Sequence, residues 1–169
     1  MSSSIRLTSE SLRAFSAQGT RSVVGGWFDS FSDADLKTLA SKLDPVERAA
    51  GEAVRDEGDH SAWLLLEGGV QATYQAQDAS VVELGIVGPG SMFGDLSLLL
   101  DVSEPLALVA ATPCQLARLD HATFWRWTES GEAAAVQFHR MLARALARRL
   151  RIANQRFVEL QSDDERSLV

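Results

Sequence analysis

The residue types that most often ligate metals or act as nucleophiles are scarce in this sequence. It contains three histidines, His60, His121 and His139, and one cysteine, Cys114. A metal site on a strand would need two histidines one residue apart and a third ligand, and none of the three has such a neighbour. There is also no nucleophile elbow, Walker-type loop or Ser/Cys–His pair. The sequence therefore predicts no catalytic residues, no metal site and no cofactor, and indicates that the protein is not an enzyme.

A second group with chemical potential is a row of arginines at helical spacing, Arg140, Arg144, Arg148 and Arg151. Residues three or four positions apart lie on one side of a helix, so these side chains would form a basic stripe. Such a stripe could bind an acidic partner or a nucleotide. The interpretation that we favour is a solvated face beside the dimer seam, which forms weak ion pairs with this acidic chain.

The composition limits the class of protein further. The chain has 169 residues, which corresponds to one domain, and its 46% apolar and 23% charged residues exclude a wholly disordered chain. Sixteen basic against 23 acidic residues give a net charge of −7, which is unfavourable for binding the negatively charged phosphates of DNA. No apolar run approaches the roughly 18 residues of a membrane span. The N-terminus lacks the pattern of a signal peptide, so we expect a cytoplasmic protein without membrane contact.

The N-terminal part of the sequence predicts helices. Residues 1–25 are rich in Ser and Thr, and we expect a polar arm, mobile or loosely docked, with a short helix at 9–17. Ser32 and Asp35 have the spacing of a helix capping box, and leucines follow at helical intervals.

Between residues 45 and 120, short apolar segments alternate with glycine-bearing turns, which is typical of an antiparallel sandwich or jelly roll. Gly68-Gly69 lies between two such segments and predicts a hairpin. The expected fold is mainly β with flanking helices. The predicted strands are 62–67, 70–75, 81–87, 107–111 and 115–119.

The C-terminal part predicts a short helix at 121–129 and a long helix from Glu132 to about Gln161. A helix of about 45 Å overhangs a domain of this size, so we expect it to pack against a second copy. The expected seam residues are Leu142, Leu146, Leu150 and Phe157. The predicted organisation is an arm at 1–25, a jelly-roll domain at 26–129, a dimerisation helix at 130–161 and a polar tail at 162–169.

Taken in order, these elements resemble the cyclic nucleotide-binding domain of the catabolite activator protein (Crp/Fnr-like) family. The resemblance extends from about Trp27 to Leu160. It is carried by Phe31-Ser-Asp-Ala-Asp-Leu36, Glu57-Gly-Asp59, Leu66-Glu-Gly-Gly-Val70, Leu84-Gly-Ile-Val-Gly-Pro-Gly90, Phe93-Gly-Asp-Leu-Ser-Leu-Leu99 and the helix at 143–152.

The resemblance implies a phosphate-binding cassette. In the family, a short helix offers backbone N–H groups to a cyclic phosphate, its first carboxylate binds the ribose 2′-hydroxyl, and an arginine about nine residues later pairs with the phosphate. Asp95 takes the place of the carboxylate, and Asn154 lies where the family can present hydroxyl side chains to the adenine. Asn154 is equally well explained as a polar residue that sets the register of a helix seam. The residues placed in this pocket are Phe93, Gly94, Asp95, Leu96, Ser97, Glu104, Pro105, Leu106 and Asn154.

The sequence departs from the family pattern at the charged positions. Asp95 is one methylene shorter than the usual glutamate, and the arginine position falls on Glu104, or on Pro105 if the loop is one residue longer. No Arg or Lys occurs between Tyr74 and Cys114, so a phosphate would meet carboxylates without a compensating cation. Two like charges about 4 Å apart repel by about 4 kcal/mol at an effective dielectric of about 20. We therefore do not expect the chain to bind cyclic AMP.

Two functional hypotheses follow. The first is a stand-alone regulatory or signalling module without a helix-turn-helix, which forms a homodimer, acts on an unidentified partner protein and does not bind DNA. The second is a small-molecule receptor that holds a cyclic (di)nucleotide or another ligand in the modified pocket.

Overall fold

The computed structural model describes residues 5–19, 26–56, 58–76, 80–102 and 104–167. Within these ranges the chain forms five helices and seven strands. In order, the elements are α1 (Ser9–Gln18), α2 (Asp33–Ala40), β1 (Asp44–Arg48), β2 (Ala62–Glu67), β3 (Val70–Gln75), β4 (Val81–Val87), β5 (Met92–Phe93), α3 (Asp95–Leu100), β6 (Leu106–Ala110), β7 (Cys114–Leu119), α4 (His121–Glu129) and α5 (Ala133–Ser167).

The strands form two antiparallel sheets, one with the order β1-β7-β2-β5 and one with the order β4-β3-β6. This mainly β, jelly-roll-like architecture with flanking helices confirms the expected fold class. Strand β2 explains how the core is divided. Its residues alternate between two apolar clusters, with Leu64 and Leu66 on the helical side and Trp63 and Leu65 between the sheets. A strand covered on both faces reads as a continuous apolar run, as β2 does.

The predicted hairpin at Gly68-Gly69 is wrong. Strand β2 pairs with β5 and β7, whereas β3 pairs with β4 and β6, so the chain changes sheets at the two glycines. The connection from β6 to β7 changes sheets beside it, and the two crossovers are joined because Ala111 N–H donates to the Gly69 carbonyl over 2.8 Å. Gly68 has φ +92°, and a Cβ there would lie 2.4 Å from the Pro113 carbonyl oxygen. The backbone approach therefore requires glycine at position 68.

The N-terminal segment is docked, contrary to the expectation of a loose arm. Helix α1 begins with a capping box between Thr8 and Ser11, and Leu12 and Phe15 are buried in the helical-side core. Arg13 also forms an ion pair with Asp33 at the start of α2. The amphipathic spacing of its apolar residues drives this docking. Residues 1–4 and 20–25 of the predicted arm lie outside the described residues.

Helix α5 is longer than predicted, since it continues to Ser167 through most of the expected polar tail. Its first three turns belong to the core. Beyond Ile152 every residue up to Gln161 is exposed, so the second half of the helix leaves the domain. The buried residues of its first half are Ala134, Ala135, Phe138, Met141, Leu142 and Ala145.

Candidate functional site

The predicted cassette is centred on the six-residue helix α3. Gly94, in the left-handed conformation, separates β5 from α3, and Phe93 before it is buried between the sheets. Two polar side chains of α3 are buried, Asp95 and Ser97. Residues two positions apart on a helix point in different directions, and these two meet different partners.

Asp95 is held by a cation from the long helix. Arg149 Nη1 donates to both carboxylate oxygens of Asp95, over 3.0 and 2.7 Å. The Asp95 side chain is 3% exposed and that of Arg149 is 34% exposed, so the pair is shielded mainly on the carboxylate side. The Arg149 guanidinium also lies 5.8 Å from the centre of the Trp27 ring, within the range of a cation–π contact. The acid of the cassette is thus directed to α5.

Ser97 is part of a second polar network, built on Glu104. The Ser97 hydroxyl donates to Glu104 Oε2 over 3.1 Å, and Arg55 Nη1 lies 3.7 Å from the same oxygen. Arg55 also donates to the backbone carbonyls of Glu104 and Leu106, over 3.3 and 3.0 Å. Its side chain is 7% exposed. A buried guanidinium with carboxylate and carbonyl acceptors is well satisfied, which fixes the loop around Glu104.

A cation lies beside each of these carboxylates, contrary to the expectation that a phosphate would meet them without one. Both cassette acids have an arginine partner, Arg149 for Asp95 and Arg55 for Glu104. Sequence reasoning missed both arginines because they lie 54 and 49 positions from the acids they accompany. No local spacing marks them, and the Arg140, Arg144, Arg148 and Arg151 row does not include Arg149.

A cleft of about 490 Å³ opens beside this network. Pro105 and Leu106 line it as predicted for the pocket, and the Pro105 carbonyl accepts a hydrogen bond from the Gln75 N–H over 3.0 Å. Asp59 is oriented by Trp63, whose indole N–H donates to it over 3.0 Å. The lining is Arg55, Asp56, Gly58, Asp59, Gln75, Glu104, Pro105, Leu106 and Ala107.

Of the nine predicted pocket residues, Glu104, Pro105 and Leu106 line this cleft and the other six do not. Phe93 is buried between the sheets, and Asp95 and Ser97 contact Arg149 and Glu104. Leu96 lies on the outer side of α3, 36% exposed. Asn154 lies in the exposed half of α5, about 7.5 Å along the helix axis beyond Arg149. Among the described residues, no group of three His, Cys, Asp or Glu side chains has the arrangement of a metal site.

The predicted dimer seam is divided by the structure. Leu142 is buried in the protomer's own core and is unavailable to a partner, so its assignment to the seam is wrong. Leu146 is half-buried, whereas Leu150 and Phe157 are exposed. The sequence shows one apolar stripe along α5, but the structure divides it into two. The first half of the helix has one apolar side that faces the core and another that is exposed.

The exposed side of α5 has its own repeat. Val136, Ala143, Leu150 and Phe157 are seven residues apart, and a second series of seven runs through Leu146, Ala153 and Leu160. Offsets of three and four between the series are those of the a and d positions of a coiled coil. Val136, Leu150, Phe157 and Leu160 are between 45% and 68% exposed. The helix thus presents an apolar seam that the part of the protomer described by the structure leaves exposed.

Comparison with known proteins bears on this geometry. The family model for the cyclic nucleotide-binding domain matches residues 45–130, just over half of the 169 residues. The chain belongs to the cyclic nucleotide-binding domain family. The matched span contains both sheets, α3 and the Arg55–Glu104 network.

Relatives of this cyclic nucleotide-binding domain include regulators. The chain is 27% identical over 137 residues to a CRP-like cAMP-activated global transcriptional regulator of Mycobacterium tuberculosis, covering 80% of this chain and 59% of that protein. It therefore spans about three-fifths of that relative. A catabolite activator protein of Thermus thermophilus has a similar fold, with a TM-score of 0.69 and 23% identity over 80% of this chain and 62% of that one. The N-terminal domain of a transcriptional regulator from Streptomyces coelicolor matches with a TM-score of 0.61 and 27% identity, over 80% of this chain and 93% of that one.

None of the helices within the described ranges has the length and apolar content that a membrane crossing requires.

Proposed function

We propose that this cyclic nucleotide-binding domain is a cytoplasmic, non-enzymatic regulatory module that does not depend on cyclic AMP and acts through protein contacts as a homodimer. The observation that carries the proposal is the position of the Glu104 side chain, which lies within the cassette and is paired with Arg55. The arginine that the family resemblance implies at position 104 or 105 is replaced by Glu104 or Pro105. The carboxylate of Glu104 is itself the acceptor of Ser97 and the ion-pair partner of Arg55.

The energetics of the network support weak phosphate binding. A phosphate that approached Arg55 would have to displace Glu104 and leave it partly buried without its cation. Leaving a buried charge unpaired costs about 3–5 kcal/mol, and the Glu104 side chain is 20% exposed, which reduces that figure. Each 1.4 kcal/mol corresponds to tenfold in affinity, so the displacement alone removes about two decades.

Protein contacts are supported by uncovered apolar surface. Besides the seam on α5, the edge strand β4 exposes Val81, Val82, Leu84 and Ile86. Contiguous exposed apolar side chains on a monomer usually mark an interaction site. The seam on α5 has the heptad spacing that fits a second copy of the same helix. The β4 surface supports a contact with a partner protein.

Isothermal titration calorimetry with cyclic AMP, cyclic GMP and cyclic di-GMP tests the pocket. We expect each to bind more weakly than about 1 mM. Glu104→Arg should produce measurable cyclic AMP affinity, because a guanidinium then replaces the competing carboxylate. Glu47→Arg, on the exposed face of β1, makes the same charge change away from the cassette and should not. Micromolar binding of cyclic AMP to the unchanged protein would overturn the proposal.

The alternative, a small-molecule receptor, is favoured by one observation, the cleft of about 490 Å³ beside Arg55. Pockets of a few hundred Å³ hold nucleotide-sized ligands. If it is a receptor, cyclic di-GMP or another cyclic nucleotide should bind the unchanged protein, and Glu104→Gln should alter that affinity. Saturable binding that responds to Glu104 would replace the first proposal with the second.

A further inference from the structure

Away from the cleft, two imidazoles face one carboxylate at the far end of α3. His60 Nδ1 lies 2.5 Å from Asp101 Oδ1, and His121 Nε2 lies 3.7 Å from the same oxygen. The two imidazole centroids are 6.0 Å apart, with the rings nearly perpendicular. The indole N–H of Trp125 donates to His121 Nε2 over 2.9 Å.

This cluster joins three segments of the fold. His60 precedes β2, Asp101 is the C-cap of α3, and His121 is the first residue of α4. Asp101 has φ +53°, a left-handed conformation that Asp and Asn adopt more readily than other non-glycine residues. Its N–H donates to the Ser97 carbonyl over 3.1 Å, which fixes its backbone at the end of the cassette helix, while its side chain is 72% exposed.

The hydrogen bond from Trp125 defines the protonation state of His121. An indole N–H is only a donor, so His121 Nε2 must be the acceptor and carries no proton in this geometry. The ring is then neutral, with its proton on Nδ1. An imidazolium has a proton on both nitrogens, so its Nε2–H would oppose the indole N–H. The same Nε2–H would lie within ion-pair distance of Asp101 Oδ1.

We propose that His121 and Asp101 form a proton-binding site that couples α4 to the end of the cassette helix. A proton from solvent binds the Nε2 lone pair of His121, the hydrogen bond from Trp125 is lost, and an ion pair with Asp101 replaces it. The domain thereby responds to acidity at a position separate from the nucleotide-type pocket.

Asp101 and His60 are the titratable groups that face His121 directly. The other charged groups on the surrounding elements have partners of their own. Asp59 accepts hydrogen bonds from Ser61 and Trp63. Asp120 accepts from Thr123 and lies near Arg118, and Arg126 donates to Ala122 and Thr123. His139 contacts Phe124 and Ala135.

Nitrogen-15 NMR of the full chain tests the site from about pH 8 to about pH 5, where histidines titrate. A His60→Gln background isolates His121. We expect the indole N–H signal of Trp125 and the amide signals of Leu100 and Asp101 to shift together as His121 takes up its proton. His121→Gln should abolish both shifts, whereas His139→Gln, the same change on α5, should preserve them.

Asp101→Asn gives the decisive comparison, because Asn keeps the left-handed backbone and removes the charge. We expect the Trp125 signal still to shift with pH in this variant, while the amide shifts at the end of α3 are lost. Amide shifts equal to those of the unchanged protein would overturn the proposal. The ring nitrogens of His121 provide a test without any variant: a protonated Nε2 at about pH 8 would also overturn it.

Discussion

Arg149 Nη1 lies 2.7 and 3.0 Å from the two carboxylate oxygens of Asp95, a residue 54 positions earlier in the chain. The contact joins the first residue of the cassette helix to the middle of α5, where that helix begins to leave the domain. A displacement of α3 therefore strains this partly buried ion pair, which connects the cassette helix directly to α5.

Removing this arginine should destabilise the protein. Arg149→Ala leaves the buried carboxylate of Asp95 without its cation, and we expect a loss of about 1–3 kcal/mol in the free energy of unfolding, since Arg149 is partly exposed. Thermal unfolding should show a decrease in Tm of about 2–4 °C for each kcal/mol. Arg148→Ala, one position earlier and exposed, is the matched control. Adding Asp95→Asn to Arg149→Ala should recover part of the loss, and no recovery would contradict the role given to the buried charge.

Asp120 makes stability depend on acid pH. Burial alone would raise the pKa of this carboxyl, but hydrogen bonds from the backbone and side chain of Thr123 and the charges of Arg118 and Arg126 lower the pKa below the ordinary 3.8. A carboxyl with a lowered pKa in the folded state stabilises above its unfolded value, and the stabilisation disappears as pH falls through the folded value.

We therefore expect Asp120→Asn to reduce the loss of stability below about pH 4, because Asn keeps the helix cap without the titrating charge. Asp120→Ala should cost about 1 kcal/mol at neutral pH, since the cap of α4 is lost. Urea unfolding at several pH values measures both. An unchanged acid transition in Asp120→Asn would show that other carboxylates dominate.

The sheet crossover at Gly68 should tolerate no side chain. Gly68→Ala combines a positive φ with a Cβ 2.4 Å from the Pro113 carbonyl oxygen, whereas Gly51, with φ +87°, has open space at the same position. Gly51→Ala should therefore cost about 1–2 kcal/mol from the backbone alone. Gly68→Ala should cost more, and the difference in the free energy of unfolding measures the contact. Equal losses would remove the steric reason for glycine at the crossover.

Many of the elements could be predicted from local pattern, whereas the pairings could not. The capping box at Ser32 and Asp35 and the bounds of the strands 62–67, 70–75 and 81–87 agree with the structure, because caps and glycine turns are encoded within a few residues. A Gly-Gly pair indicates a change of direction but does not specify which strand pairs with which. Partner choice depends on packing that the local sequence does not contain.

The same distinction applies to the site. Glu104, Pro105 and Leu106 lie together at the cleft because they are neighbours in sequence. The cations that neutralise the cassette, Arg55 and Arg149, come from other elements, and only the fold brings them there. The apolar stripe of α5 showed that the helix is amphipathic, but 3.6-residue periodicity alone could not separate the core side from the exposed seam.

The seam on α5 predicts the oligomeric state. Light scattering should show a dimer at tens of micromolar protein, and Leu150→Glu should shift it towards monomer, because it places a charge in an apolar heptad position. Gln155→Glu adds the same charge on an exposed position of the same helix outside the two apolar series. We expect this control to remain dimeric. A Leu150→Glu protein with the mass of the unchanged protein would exclude the seam as the interface.

The charge of the chain predicts its behaviour towards DNA. With a net charge of −7, these 169 residues should not retard duplex DNA at about 150 mM salt, even at micromolar protein. Retardation that depends on the DNA sequence would contradict this expectation. Retardation only at low salt would instead indicate a non-specific contact of the basic side of α5.

The division of α5 into a core half and a projecting half separates folding from assembly. The apolar side chains from Ala134 to Ala145 are buried within one protomer, so the two sheets and their helices acquire their core at any protein concentration. The side chains from Ala153 to Gln161 are exposed, and a helical segment of this length is only marginally stable in water on its own. If this segment pairs with a second copy, its helicity should increase with protein concentration and decrease on dilution. The helicity of the end of α5 would then report the fraction of protein in the dimer.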